Sequence, residues 1–404
     1  MNPIQALSAQ PTSLPGPPWM LLSLLYLLFT CHLVFMNLTA GGNLLEAVFL
    51  VKGKSKHLDA AEQLARLLPY STAMAILFGV ASLLFTQVLY GRLFYTSAIL
   101  LGAPFILIIP ALITAYALMY LQAARWHTMG RKRVWTALGV FLLLGYIGFV
   151  WSNLSAMMLE PERFAAKYLS HPDGIQFDLA DPSLLPRLYH AFLASIAVAG
   201  LYVAIMGTRR LKLHPEQGRW QYRSGATWFA GATLVNLFVG PWRFFNLDQA
   251  QRTIITGGSA LATALFITGI ASALAAFVFA LLGLNSLKPK PRLYAAAAFV
   301  VVTIFCMSAV RDAVRRVAVG SVYRVEELPV HSQWPAVSIF FLLLIVAIAT
   351  SILLLRLLLE NPSGKSLEPA GPGLTDSGVR KLGGSGGDLE SAEADPGQNK
   401  PSEH

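Results

Sequence analysis

The chain has 404 residues, of which 55% are hydrophobic and 13% charged, and its mean hydropathy is +0.56. An ordinary soluble domain has roughly twice that charged fraction, which argues against a water-soluble globular protein. Two cysteines exclude both a disulfide framework and a covalently attached c-type haem. The net charge is +10. In a membrane protein, basic residues indicate the topology of the loops before they indicate nucleic-acid binding. We therefore predict an all-α integral membrane protein with no nucleic-acid partner.

A membrane-spanning helix needs about 20 mostly apolar residues. Nine such runs follow one another along the chain and predict a bundle of about nine transmembrane helices. They lie near 19–51, 70–90, 96–121, 134–158, 184–207, 226–242, 254–284, 293–317 and 334–359. Between the first two runs, segment 58–68 has the pattern of an amphipathic helix that lies at the membrane surface.

Composition divides the chain into three parts. Residues 1–18 form a short segment before the first run, and residues 19–360 form the transmembrane domain. Residues 361–404 are rich in Gly, Ser, Pro and acidic residues, a composition that buries too little apolar surface to fold. We expect them to form a disordered cytoplasmic tail.

Basic residues predict the orientation of the bundle, because Lys and Arg gather in cytoplasmic loops. They follow the first, third, fifth and seventh runs, and no basic residue precedes the first run. The prediction is an N-terminus on the outside, a periplasmic segment 1–18, and a C-terminus in the cytoplasm of a bacterium, with the chain in its inner membrane. Arg311, Arg315, Arg316 and Arg324 are an exception, since they fall on the predicted outer side.

Ionisable residues inside the runs are functional candidates, because a membrane makes them costly. They are His32, His190, Glu46 and Asp312. Counted back from the basic residues at the inner ends of their runs, both histidines lie near the outer edge of the hydrocarbon core. Neutral imidazoles at one depth can ligate a haem or a metal. The alternative is two interfacial histidines that bond to backbone or water.

Further candidates lie in the eighth run. Met307 is a candidate axial ligand, with a purely structural methionine as the alternative. Arg311 and Arg315 are candidate partners of haem propionates, because a guanidinium forks onto a carboxylate. Arg92, Arg243 and Arg316 belong to the same predicted outer set, and lipid phosphates are the alternative partner of each arginine.

The residues around the two histidines carry a family resemblance. CHLVFMNLTAGG (31–42) resembles the first-helix motif of subunit I of the cytochrome bd quinol oxidases, and RLYHAFLASIAVAG (187–200) resembles its fifth-helix motif. GAPF (102–105), WSNLSAMML (151–159) and VRDAVRRVAV followed by ELPV are similar to further segments of that subunit. The resemblance covers about residues 19–359 and implies nine helices with an external N-terminus. It also implies that His32 ligates a high-spin haem and His190 a low-spin haem b.

Departures from the family pattern bear on the reaction. Two family glutamates in the third helix correspond to about Ile108 and Tyr116, and a glutamate ligand in the eighth corresponds to Ser308. A methionine ligand of the seventh helix has no counterpart, and the long quinol-binding loop is reduced to FFNLDQAQR. Intramembrane carboxylates carry the protons that oxygen reduction consumes. The resemblance therefore implies a bd-like subunit that has lost oxygen reduction.

The leading prediction is a haem b membrane subunit of respiratory electron transport, with one or two haems. It would exchange electrons between membrane quinol and an extracytoplasmic cytochrome c or iron–sulfur protein, within a quinol-dependent oxidoreductase complex. Other membrane subunits and lipid would be its further partners. Two alternatives stay open: a true quinol:oxygen terminal oxidase subunit, and a cofactor-free scaffold subunit that keeps only the fold.

Overall fold

A computed structural model describes residues 13–179 and 181–360, which fold as one compact unit. Long apolar segments become helices because a helix bonds every backbone polar group within the segment. The helices are α1 (Pro18–Lys52), α2 (Ser55–Leu100), α3 (Gly102–Ile106), α4 (Ile108–Ala124), α5 (Lys132–Met157), α6 (Phe164–Ser170), α7 (Leu184–Arg210), α8 (Pro215–Phe245), α9 (Gln249–Thr253), α10 (Ala260–Leu284), α11 (Pro289–Val319) and α12 (Trp334–Glu360). The described ranges contain no strand, so the predicted all-α class is confirmed. The segments predicted to lie before residue 13 and after residue 360 fall outside the described residues.

Eight helical segments are long and apolar enough to cross a membrane, namely α1, α2, α3 with α4, α5, α7, α10, α11 and α12. The sixth predicted run lies within α8, whose 31 residues are long enough but begin with the polar sequence PEQGRWQYRS. A backbone bridge joins Leu14, before α1, to Val330, before α12, so both lie at the same end of the bundle. That requires an even number of crossings between them. Counting α8 as a crossing meets this requirement and gives nine crossings within residues 13–179 and 181–360, the number predicted.

The second helix differs from the prediction in its length. Residues 58–68 are not a separate surface helix, because they form the first part of the 46-residue α2. Ala60, Leu64 and Leu68 are buried in a cluster with Phe49 of α1, and this packing extends the helix toward its N-terminus. At the other end α2 is kinked at Tyr90 (φ −132°, ψ 28°), where the second predicted run ends, and the part after the kink includes the first residues of the third predicted run.

Helix α10 begins later than the seventh predicted run. Residues Ile254–Gly258 form a single π turn in which Gly257 has φ +136°, a conformation that glycine adopts without strain. Ser259 follows in extended conformation, and its hydroxyl accepts a hydrogen bond from the Ala262 N–H at the start of α10. This cap sets the first residue of the helix at Ala260.

Helices α7 and α8 pack backbone against backbone through glycines. A Cβ at Gly207 of α7 would lie 2.3 Å from the Tyr222 nitrogen, and one at Gly225 of α8 would lie 2.3 Å from the Ala204 nitrogen. Small residues allow this approach between membrane helices. The pair positions His190 of α7 beside Asn236 of α8.

Candidate functional site

His32 of α1 is held against α2 by its ring. Its Nδ1 lies 2.8 Å from the Ala75 carbonyl oxygen, and since a carbonyl only accepts, Nδ1 carries the proton and Nε2 keeps its lone pair. A Cβ at Gly79 would lie 2.7 Å from this Nδ1, so the glycine leaves room for the ring. Metal-ligating histidines commonly donate their other N–H to a carbonyl in this way.

His190 of α7 lies beside Asn236 of α8. The Asn236 amide donates to the His190 carbonyl oxygen at 3.4 Å. His190 Nδ1 and Asn236 Oδ1 are buried and have no hydrogen-bond partner in the described part of the chain. Buried polar atoms without partners are uncommon in native proteins, so these two atoms are free to bond a further group.

An arginine cluster lies next to both histidines. It consists of Arg187, Arg243, Arg311 and Arg315. Arg311 is within electrostatic range of the other three, while His32 is within range of Arg311 and His190 within range of Arg243. Asp312 is the acidic group that opposes Arg311. Asp181 pairs with Arg187 at 3.9 Å. Each histidine is therefore near one arginine of a cluster in which four arginines face two acidic side chains.

Members of the cluster differ in how much of their guanidinium is already bonded. Arg187 donates to the Ser152 carbonyl at 2.9 Å and to the Ser183 hydroxyl at 2.7 Å. Arg311 donates once, to the Ser155 hydroxyl at 3.1 Å. Arg243 makes no hydrogen bond or ion pair with the described residues. Arg243 and Arg311 thus have the most donors left for an anionic ligand.

Asp312 joins three helices beside this cluster. Its side chain accepts hydrogen bonds from Tyr26 of α1 at 2.8 Å and from Tyr90 of α2 at 2.7 Å. Arg315 and Arg316 pair with the same carboxylate at 3.5 and 3.3 Å. The Arg315 guanidinium also lies 4.8 Å from the centre of the Tyr90 ring. Arg315 is therefore already bonded within this network. It contributes positive charge to the cluster but few free hydrogen-bond donors.

The structure packs Met307 against the neighbouring helix α10. A Cβ at Gly269 would lie 2.7 Å from the Met307 methyl, so the thioether occupies the contact between α10 and α11. No contact joins Met307 to His32 or His190 among the residues described. Its assignment as an axial ligand stays a prediction.

Glu46 lies in a second, separate polar region between α1, α2 and α4. It is 1% exposed and accepts a hydrogen bond from the Gln122 amide of α4. From there, polar contacts continue along α1, with Thr39 donating to the Ser71 hydroxyl at 3.0 Å. The bundle therefore contains a buried carboxyl on α1, whereas the family pattern has its glutamates on the third helix.

Sequence reasoning missed two parts of the site. Arg187 lies one helical turn before His190 in RLYH, so its position relative to that histidine was available from the spacing. Asn236 is a polar residue within the apolar run 226–242, and a lone polar residue in such a run indicates a candidate site residue. That Arg187 and Asn236 lie near Arg311 depends on packing between helices distant in sequence, which the spacing of residues along the chain does not indicate.

A haem is compatible with these side chains, because a porphyrin supplies four iron ligands and leaves one or two to histidine. The described residues contain no group of three or more His, Cys, Asp or Glu side chains that could hold a metal ion by themselves. Two imidazole nitrogens and two arginines with spare donors match the iron and the carboxylates of a haem.

Comparison with known proteins gives one informative result. No family model matches the sequence, and no curated protein matches it. A solved chain of the bd oxidase from Geobacillus thermodenitrificans superposes with a TM-score of 0.69 at 13% identity, over 86% of this chain and 99% of that one. At that identity the likeness concerns the fold. The chain is a multi-pass membrane protein with the fold of a bd oxidase chain.

Proposed function

We propose that the chain is a haem b membrane subunit of a bd-like redox complex, which exchanges electrons between membrane quinol and an extracytoplasmic redox partner. One observation carries the proposal: His32 and His190 flank a single cluster of arginines whose positive charge the described acidic groups do not balance. Haem iron takes histidine ligands, and haem propionates are anionic.

In this proposal His32 and His190 are the ligands of haem iron, in one or two haems. Arg243 and Arg311 bind propionates, Arg315 adds positive charge, and Met307 is retained as a candidate sixth ligand. Bound haem supplies reversible one-electron transfer. Ala75 and Gly79 orient the His32 ring, and the positive arginines favour the reduced state of a group held beside them.

The replaced carboxylates support the loss of oxygen reduction. Tyr116 contributes a hydroxyl 3.3 Å from that of Tyr120, and the Ser308 hydroxyl donates to the Ile304 carbonyl at 2.7 Å. Neither side chain can release and rebind protons near neutral pH as a carboxylate does. Electrons would then leave toward a cytochrome c or an iron–sulfur protein outside a bacterial inner membrane.

A second candidate is a true quinol:oxygen oxidase, and Glu46 favours it. This fully buried carboxyl is a potential proton carrier of the kind that oxygen reduction needs. Oxygen uptake by the purified complex with reduced quinol would support the oxidase, and Glu46→Gln would lower that uptake. Absence of uptake would favour the electron-transfer subunit.

Other membrane subunits are expected to contact the exposed apolar surface of the bundle. Helix α12 supports this, since Leu342, Leu343 and Ile345 are each more than 60% exposed. Lipid or a neighbouring subunit must cover such a surface in the membrane. Co-purification from the native host would identify the subunit that covers this surface.

Substitution of the histidines tests the proposed ligands. We expect His32→Ala and His190→Ala each to lower the haem-to-protein ratio severalfold, because each removes an iron ligand. His171→Ala is the control, since His171 is exposed and hydrogen-bonds to Ser170 in a loop. The pyridine haemochrome assay measures the ratio. A wild-type haem content and spectrum in His190→Ala would refute the assignment of that ligand.

A further inference from the structure

A basic groove lies at the N-terminal end of α8, far from the histidines. It has a volume of about 430 Å³ and is lined by Lys56 of α2 and by Arg219, Trp220 and Arg223 of α8, with Glu216 at its edge. Arg219 precedes Asn236 by 17 residues, which places the groove about 25 Å along the helix from the histidine site.

Two guanidinium groups of the groove have unused donors. Arg219 makes no hydrogen bond or ion pair with any described residue. Arg223 uses its Nε to bond the Leu284 carbonyl at 3.2 Å, and its two terminal nitrogens stay unbonded. Lys56 and Glu216 pair at 3.7 Å, so the acidic side chain is matched by the lysine. The two arginines offer paired donors, which suit a phosphate group.

Trp220 forms an apolar wall of the groove. Its ring lies 4.6 Å from that of His57 and 6.0 Å from that of Phe49, measured between ring centres. Tryptophan and arginine are typical of the boundary between the hydrocarbon core and water. The groove is therefore at the depth of lipid headgroups.

The groove continues into an apolar stripe along the same face of α8. Residues 219, 223, 227, 231, 234 and 238 recur every three or four positions and are all exposed, so they share one face of the helix. Leu234 is 47% and Phe238 74% exposed, and a Cβ at Gly231 would contact nothing within 4 Å. From Arg223 the stripe extends about 22 Å, more than half the thickness of the hydrocarbon core.

We propose that this groove binds an anionic phospholipid. Arg219 and Arg223 bond its phosphate, Trp220 packs beside the glycerol region, and one acyl chain lies along Gly231, Leu234 and Phe238. Basic pockets between membrane helices bind such headgroups, and here a matching apolar stripe follows directly. The site is independent of haem binding.

Native mass spectrometry of the delipidated full chain in detergent tests the site. The probes are phosphatidylglycerol and phosphatidylcholine with the same acyl chains. We expect the wild type to prefer phosphatidylglycerol and Arg219→Gln/Arg223→Gln to bind it on the order of tenfold more weakly. Arg125→Gln/Arg131→Gln is the control, because it removes the same charge from exposed positions outside the groove.

A second variant tests the apolar stripe without a change of charge. Gly231→Leu fills open space and should weaken phosphatidylglycerol binding while the protein elutes as the wild type does. Soluble glycerol phosphate should bind far more weakly than the lipid. The proposal is overturned if the wild type has no preference between the lipids, if the control loses as much binding as the groove variant, or if glycerol phosphate binds as tightly as phosphatidylglycerol.

Discussion

At the scale of single residues, Asp312 is the side chain on which the histidine end of the bundle depends most. It is 3% exposed and accepts from Tyr26 and Tyr90 while it pairs with Arg315 and Arg316. A buried carboxylate that is bonded on several sides offsets the cost of its own burial and that of the cations beside it. Asp312 thus permits an arginine-rich site inside an apolar bundle.

Asp312→Asn should therefore destabilise the fold. The amide keeps the shape but leaves the neighbouring guanidinium groups without a counter-charge, a loss of about 3–5 kcal/mol for a buried pair. Thermal unfolding in detergent measures the effect. Glu327→Gln is the matched control, because Glu327 pairs with Arg324 on the exposed surface, and its midpoint should stay near that of the wild type. Equal stability of Asp312→Asn and the wild type would contradict the role given to this network.

Under the proposed function, Arg311 bears on the properties of the haem more than on stability. It lies within electrostatic range of His32 and over the Phe29 ring at 4.8 Å. We expect Arg311→Gln to lower the midpoint potential of haem by tens of millivolts, because a positive charge favours the reduced state. Redox titration of the purified protein measures this, with Arg324→Gln in the loop after α11 as the control. An unchanged potential would mean that Arg311 does not face the haem.

At the scale of helices, the contact between α7 and α8 sets the relative position of His190 and Asn236. Gly207 and Gly225 bring the two backbones together, and any side chain there forces them apart. Gly145 of α5 has open space around it. The same substitution at these positions therefore has different consequences.

Gly207→Ala should lower the thermal midpoint and the haem content together. The added methyl meets the Tyr222 nitrogen at 2.3 Å, and overpacking of this kind costs about 1–3 kcal/mol. Gly145→Ala should leave both quantities unchanged. If Gly207→Ala were as stable as Gly145→Ala, the close packing of α7 on α8 would be wrong.

Hydropathy located the helices well and their ends poorly. It found the eight described segments that are long and apolar enough to cross a membrane, and a further run within α8, because apolar length is what the membrane selects. It divided α2 at residue 69 and began α10 near residue 254, since caps and packing set those ends. Both histidines and Arg311 stand out as candidates in the sequence because ionisable residues are rare in apolar runs. The neighbours Ala75, Gly79 and Asn236 lie on other helices, and one sequence does not report such contacts.

At the scale of the whole molecule, the arginines that break the pattern of loop charge have a structural explanation. Arg315 is 6% exposed and Arg311 bonds to Ser155 of α5, so both belong to the interior of the bundle. Interior arginines do not report loop charge, so they do not count against the orientation that the basic loops after α1, α4, α7 and α10 predict. One end of the molecule then holds the arginine cluster and the other the basic groove.

The most direct test of the central claim is a dithionite-reduced minus oxidised spectrum of the purified full chain, with a pyridine haemochrome count. The account predicts a b-type band and one or two haems per chain, because His32 and His190 supply the ligands and the arginine cluster supplies the counter-charge. A colourless protein, purified intact from cells that make haem, would contradict haem binding and leave the scaffold function.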